Sequence, residues 1–395
     1  MEPVTLKDGV FWVGAIDWNV REFHGYSTDR GTTYNAYLIK GEKTALVDTV
    51  KAEFFPEMMA RIEAVIDPAK IDYLIVNHVE MDHSGSLPRF MERAPKAQIV
   101  ATDNGVKGLD RHYRDEFPKT KVKTGEEISL GNKTLQFLEA YMLHWPDSMF
   151  TYLKEDRVLL PNDGFGQHYA SFHRFDDELD GLEAVMDEAA KYFSNILMPL
   201  APLIPPLLKK VEKMGLQIEM IAPSHGIIWR KDIEGILNKY LQWISGYSVP
   251  KVIIPYDSMW NSTKSMAYAI AEGVASQGVE CRVYSLTENH RSDIITDILE
   301  ARAILVGSPT LNNHVYPTVA EFLAYMRGLK PMNKLGAAFG SYGWGGGAKR
   351  FIEEQMKLTD IELIENSLDY KFKPTDDEWQ SAYDFGVMIA KKVKE

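Results

Sequence analysis

Leu74-Ile75-Val76-Asn77-His78-Val79-Glu80-Met81-Asp82-His83 is the stretch on which the reading of the fold turns. Three apolar residues read as a short strand, and they run directly into a polar cluster. His78, Glu80, Asp82 and His83 fall within six residues, at alternate positions plus one. No strand or helix packing against a core calls for that pattern, whereas a tight loop past a strand end can turn all four side chains to one side. For this motif alone, a solvated polar loop is the plainer alternative.

The same arrangement recurs outward along the chain. Val158-Leu159-Leu160 leads into Asn162-Asp163, Met220-Ile221-Ala222 into Ser224-His225, and the strand expected over Thr134 to Ala140 leads to His144. Each of these residues taken singly reads as a hydrogen-bonded histidine or a turn aspartate. Seven together, each at the mouth of a strand, read as a metal site. Imidazole and carboxylate without thiolate suit iron, manganese or zinc. Glu80, Asp82 and Asp163 carry three negative charges, and a bridging hydroxide makes four, which matches two divalent ions. Asp163 can bridge two metals through its two oxygens.

Residues 250–395 follow another rhythm. Five apolar strands, beginning at Val252-Ile253-Ile254 and ending at Ile361 to Ile364, alternate with five helical patterns, the first over Thr263 to Ser276 and the last over Asp376 to Val393. This alternation predicts a doubly wound parallel sheet with its ligand beyond the carboxyl ends of the strands. Three loops fall on that edge. Ser258, Met259, Trp260, Asn261, Ser262 and Thr263 offer hydroxyls and amides at a helix start, a phosphate site without the lysine of an ATP-binding loop. Pro309, Thr310, Leu311, Asn312 and Asn313 follow the third strand. Ser341, Tyr342, Gly343, Trp344 and Gly345 follow the fourth, where glycines admit a flat ring and aromatics stack on it. A helix cap and a flexible loop are the separate alternatives; a shared ligand explains all three loops together.

The turn-rich Ser245 to Pro250 places the boundary, with domains expected over 1–248 and 250–395. The proline-broken run Asn195 to Leu208 is expected to be a buried, irregular connection. Of 395 residues, 45% are hydrophobic and 25% charged, and the formal net charge is −12. That balance argues against nucleic acid and against an anionic membrane surface as partners. The single cysteine, Cys281, excludes a disulfide framework, a thiolate zinc site and a protein-ligated iron–sulfur cluster. With no signal-peptide pattern at Met1 to Val4 and no membrane-length apolar run, the expected location is the cytoplasm.

These motifs resemble the flavodiiron proteins, or A-type flavoproteins, over essentially the full chain. The resemblance rests on residues 78–83, Leu143 to Met149, Asn162 to His168, Pro223 to Gly226, Tyr256 to Trp260 and Ala338 to Trp344. It implies an α/β chain: an N-terminal metallo-β-lactamase-like αββα sandwich followed by a flavodoxin-like doubly wound sheet. It implies that His78, Glu80 and His144 bind one iron, that Asp82, His83 and His225 bind the other, and that Asp163 bridges them; in some relatives the residue matching His83 turns away from the metal. His24 and Tyr26 resemble residues placed over the substrate pocket, and Asp48 resembles a strand-end aspartate supporting a ligand histidine. Tyr192 reaches the pocket or packs in the core. The implied cofactors are two iron ions and FMN. The implied reaction is reduction of dioxygen to water, of nitric oxide to nitrous oxide, or of both. Electrons would come from a rubredoxin-like carrier, in a head-to-tail homodimer or a dimer of dimers. One cysteine cannot supply a further rubredoxin domain, so the two-domain class is expected. Two other readings are a zinc hydrolase carrying a flavodoxin module, against which Glu80 stands where those enzymes usually have histidine, and an electron carrier whose first domain is only structural.

Overall fold

The computed structural model describes residues 1–114 and 117–395. The chain forms two compact units. The first comprises Met1–His24, Thr28–Tyr192 and Leu200–Lys239; the second comprises Gly25–Ser27, Phe193–Pro199 and Tyr240–Glu395.

The first unit is built on two sheets. The larger, 7-stranded, has the order Val4–Lys7, Val10–Trp12, Tyr37–Lys40, Thr44–Val47, Tyr73–Ile75, Gln98–Ala101, Lys119–Lys121. Its pairings are antiparallel up to Thr44–Val47 and parallel beyond it. Because successive side chains point to opposite faces, the sheet sorts its residues by parity. Leu38, Leu46, Leu74 and Ile99 face one core, while Tyr37, Ile39, Ala45, Val47, Ile75 and Val100 face another. The first core is closed by helices. In Phe55–Glu63 the buried Phe55, Met58, Met59 and Ile62 follow the one-face helical spacing, and Leu87–Arg93 and Asp103–Tyr113 add Phe90, Met91, Val106 and Leu109. The second core is shared with the 5-stranded sheet, Glu127–Ser129, Thr134–Glu139, Met149–Leu153, Val158–Leu160, Met220–Ile221, through Leu135, Phe137, Met149, Leu153, Val158 and Leu160. A strand buried on both sides must be apolar throughout, which is why Leu74 and Ile75 are consecutive.

The second unit contains a 6-stranded parallel sheet in the order Glu280–Ser285, Val249–Tyr256, Ala301–Pro309, Leu335–Tyr342, Glu362–Leu363, with Leu368–Lys371 also paired to Leu335–Tyr342. The five helices read from the sequence are Ser262–Ala275, Arg291–Glu300, Pro317–Leu329, Ala348–Lys357 and Asp376–Lys392. Helices Ser262–Ala275 and Asp376–Lys392 pack so closely that a Cβ on Gly273 would lie 2.0 Å from the Tyr383 carbonyl oxygen, and one on Gly386 would lie 2.1 Å from that of Ile270. The last strand departs from expectation: it is split, and its second piece, Leu368–Lys371, is a strand the sequence reading did not foresee.

The expected irregular run Asn195 to Leu208 is instead helical. A π-helical turn Phe193–Leu197 and a 3₁₀ segment Met198–Leu203 lead into the α-helix Ile204–Lys213. Pro205 and Pro206 occupy its first turn, where a missing N–H costs nothing and the fixed φ favours the helix.

Cys281 lies in strand Glu280–Ser285 and packs on the core of the second unit. Burial, assisted by the Glu280 charge, pushes its thiol up to about 12. Alkylation needs the thiolate. Native protein at pH 8 should therefore react with iodoacetamide about a thousandfold more slowly than denatured protein, each pKa unit being a tenfold loss of thiolate; equal rates would show that the thiol is not held in this environment.

Candidate functional site

Parallel pairing of Thr44–Val47 with Tyr73–Ile75 places the ends of both strands side by side. Beyond them, the Asn77 amide donates to Asp48 Oδ1 at 2.8 Å, and Asn162 Nδ2 donates to Asp48 Oδ2 at 3.1 Å. Asp48 thus ties the residue before His78 to the residue before Asp163. It makes no hydrogen bond to a histidine among the described residues, which corrects the support expected of it: the strand register delivers its carboxylate one residue short of His78. The 78–84 loop is closed by Ser84 Oγ donating to the Val79 carbonyl at 2.6 Å, and Thr49 N and Oγ1 both donate to the His83 carbonyl.

The structure brings all seven proposed ligands together. Glu80 Oε2 lies 3.2 Å from His78 Nε2 and 3.2 Å from His144 Nε2. Asp82 Oδ2 lies 3.3 Å from His83 Nε2 and 3.1 Å from His225 Nε2. Asp163 sits between the two groups. Its Oδ2 is 3.4 Å from His144 Nε2 and 3.8 Å from His78 Nε2, and its Oδ1 is 3.1 Å from His83 Nε2 and 3.5 Å from His225 Nε2. Donor atoms about 2.1 Å from a shared ion stand about 3.0–3.5 Å from each other, and most of these separations fall in that range, so the two groups could each hold an ion.

The outer nitrogens show which ring atoms face inward. A carbonyl or carboxylate can only accept. His78 Nδ1 therefore donates to Asp147, at 3.1 and 3.2 Å, and His225 Nδ1 donates to the Thr33 carbonyl at 2.7 Å. Both rings present Nε2 to the cluster. Asp147 is fixed in turn by the Val79 amide at 2.8 Å, and its carbonyl accepts from Thr102 Oγ1, the residue that caps helix Asp103–Tyr113.

The cluster's charge is unresolved without a cation. Both oxygens of Asp82 and of Asp163, both nitrogens of His83 and Nε2 of His144 are buried without a hydrogen-bond partner. Burial disfavours charge on every member. Even so, the Asp163 and Glu80 carboxylates raise His144 to about 9, and Asp163 and Asp82 raise His225 to about 10. Against its own burial, Asp163 is held well below the usual carboxylate range by His83, His144 and His225. The pocket draws positive charge to the point where the donor atoms converge, so these residues fit a pair of divalent ions.

Among the remaining candidates, His24 places Nε2 2.6 Å from Glu80 Oε1, on the side away from the cluster. Tyr192 ends helix Glu183–Tyr192, with its ring 5.2 Å from that of His168 and 6.0 Å from that of His225. Tyr26 is buried and belongs by its contacts to the second unit. Sequence reasoning missed Asp147, which resembles any turn aspartate, and His168. The His168 ring lies 4.9 Å from that of His225, and its Nδ1 lies 2.7 Å from Thr32 Oγ1. Burial and the neighbouring His225 charge hold it neutral. Its place in the Asn162 to His168 segment was the available signal.

In the second unit the three loops line one cavity of about 580 Å³, a usual size for a cofactor site. Ser258, Met259, Trp260, Ser262, Pro309, Thr310, Leu311, Asn312, Ser341, Tyr342, Gly343 and Trp344 line it, joined by Phe372 and Lys373, which the sequence reading did not include. Asn261, Thr263, Asn313 and Gly345, also expected at the site, are not part of its lining. Asn261 turns the chain into the helix at φ 67°, and Thr263 Oγ1 lies 3.1 Å from Ser341 Oγ. Asn313 backs the glycine run: a Cβ on Gly347 would lie 2.4 Å from its carbonyl oxygen and one on Gly345 would lie 3.6 Å from its Oδ1. The side chain of Asn261 does not cap helix Ser262–Ala275; the Lys264 amide in its first turn donates to Ser258 Oγ at 3.4 Å. A helix start beside the hydroxyls of Ser258 and Ser262, together with apolar and aromatic walls, fits a flavin and its phosphate.

Residues 32–226 match the model of the ODP family beta lactamases, and residues 254–386 match that of the flavodoxins. The chain is 50% identical to a nitric oxide reductase of Moorella thermoacetica, over 99% of each chain. Its structure is similar to that of a rubredoxin oxygen:oxidoreductase from Desulfovibrio gigas, with a TM-score of 0.97, 39% identity and coverage of 100% and 99% of the two chains. It is similar as well to a flavodiiron protein from Giardia intestinalis, with a TM-score of 0.96, 34% identity and coverage of 100% and 97%. Two groups of candidate metal ligands that meet at Asp163, a flavodoxin domain and relatives alike over nearly their whole length place this chain in the flavodiiron protein family.

Proposed function

We propose that the chain reduces dioxygen to water, nitric oxide to nitrous oxide, or both, with electrons passing from a small carrier of the rubredoxin kind through FMN to two irons. The observation that carries this reading is Asp163, whose two oxygens each face one ligand group. His78, Glu80 and His144 would hold one iron and Asp82, His83 and His225 the other, with Asp163 between the two groups. Iron is favoured over zinc by the carboxylate of Glu80 within a donor set free of thiolate, and by the relatives, a nitric oxide reductase and a rubredoxin oxygen:oxidoreductase.

When bound, the pair of ferrous ions would supply two electrons and the reduced flavin two more, the four that dioxygen takes up on its way to water. The chain's own residues set the conditions. Asp147 and the Thr33 carbonyl fix the His78 and His225 rings in the tautomer that offers Nε2. His24, on the more exposed side, places Nε2 2.6 Å from Glu80 Oε1 and so orients that carboxylate, leaving Oε2 towards His78 and His144. Burial of Asp82, His83, Asp163 and His225 keeps bulk water from the shell. No helix among the described residues is long and apolar enough to cross a membrane, in keeping with a cytoplasmic setting and a diffusible donor. The homodimer implied by the family belongs to the same proposal.

The test is protein purified without oxygen. It should hold iron at both positions together with FMN, and the pre-reduced chain should consume dioxygen, nitric oxide or both; zinc with no gas turnover would overturn the proposal. In Asp163→Ala, iron and gas turnover should both be lost while FMN content stays at the parent level. An electron carrier with a merely structural first domain would keep its full function. Asp147→Asn should lower metal affinity about 10–100-fold, read by competition with a chelator, because the His78 ring loses its anionic backing. Unchanged affinity would assign Asp147 to the fold alone.

A further inference from the structure

The lining of the 580 Å³ cavity contains one charged side chain, Lys373. It is cationic in a chain of net charge −12, and the fold delivers it by an unusual route. Strand Leu368–Lys371 pairs in register with the end of Leu335–Tyr342, Lys371 opposite Tyr342. The Phe372 amide donates to the Tyr342 carbonyl at 2.8 Å, and Phe372 adopts a left-handed φ of 62°. A bulky residue there costs free energy and is retained when its surroundings over-determine it. Phe372 stands beside the aromatic loop: its Cε1 lies 3.7 Å from where a Cβ on Gly343 would be, and Lys371 Nζ sits 5.3 Å from its ring centroid. The left-handed turn brings Lys373 to the cavity wall beside the aromatic, glycine-rich loop. Ser258 and Ser262 offer hydroxyls for a phosphate, whereas Lys373 follows Phe372, which is hydrogen-bonded to Tyr342 beside Gly343; its neighbours in the lining are those of the ring end.

We propose that Lys373 sets the reduction potential of the bound flavin by stabilising its reduced, anionic ring, an inference that rests on the cavity holding FMN. Two-electron reduction takes up one proton, FMN + 2e⁻ + H⁺ → FMNH⁻, the electrons coming from the donor. The added negative charge falls on the pyrimidine part of the ring. A cation at that end binds the product more tightly than the neutral oxidised ring, which raises the potential. A lysine serving the phosphate would instead bind both oxidation states equally, since the phosphate charge does not change.

The experiment uses the FMN-loaded full chain, following flavin absorbance in equilibrium with a reference dye, together with FMN titration of flavin-stripped protein. Lys373→Gln should weaken reduced FMN about tenfold more than oxidised FMN, which for a two-electron couple lowers the midpoint by about 30 mV. Lys373→Arg should restore most of the shift, and added salt should shrink it, because the side chain is solvent-exposed. Equal weakening of both oxidation states, or an unchanged midpoint, would overturn the proposal. Failure of the parent chain to bind FMN would instead overturn the cofactor reading itself.

Discussion

The structure depends on a concentration of buried negative charge that hydrogen bonds alone do not settle. Asp82 and Asp163 lie in the interior of the first unit with their oxygens unpartnered, facing imidazoles at ligand rather than hydrogen-bond geometry. Burying a carboxylate in this way is among the most costly things a fold can do, unless a cation repays it. Everything around the cluster is arranged so that the cost falls at one point and is relieved there. Asp147 and the Thr33 carbonyl take the outer ring protons, and Asp48 takes the backbone amide of Asn77 and the amide group of Asn162. These bonds hold the outer atoms of the framework, while the inward oxygens of Asp82 and Asp163 face the imidazoles.

The scaffold follows from strand parity. The larger sheet sends alternate residues to a helix-covered core and to the core it shares with the second sheet, so its strands are apolar on both faces and their register is fixed. Loops leaving such strands inherit that precision. His78 follows a strand of the larger sheet, whereas Asp163 and His225 follow strands of the smaller one, so the ligand shells span the seam between the sheets. The second unit applies the same rule with a parallel sheet, collecting three loops at one edge around a single cavity.

Much of this was legible in the chain because the informative residues are local. An apolar strand followed at once by ligand-type side chains reads as a site whichever way the strands pair. Alternating strands and helices over 250–395 read as a doubly wound sheet. What the sequence hid depends on tertiary pairing. Asp147 looks like a turn residue until the fold brings it to His78. Asp48 looks like a ligand support until the register shows its partners to be Asn77 and Asn162. Leu368–Lys371 carries two charged residues in four positions and does not read as a strand, so Phe372 and Lys373 had no reason to stand near the cavity. The prolines from 199 to 206 read as breaks, although two of them begin a helix.

The braces behind the ligands are made by protein atoms alone: the Asn77 amide on Asp48, the Val79 amide on Asp147 and the Gly226 amide on Thr33 Oγ1. Each ties a loop that carries candidate ligands to the end of a strand or to a neighbouring loop. A substitution that loosens this framework therefore blurs the site as well, so the tolerance of the scaffold to change is set by the chemistry it holds and not by stability alone.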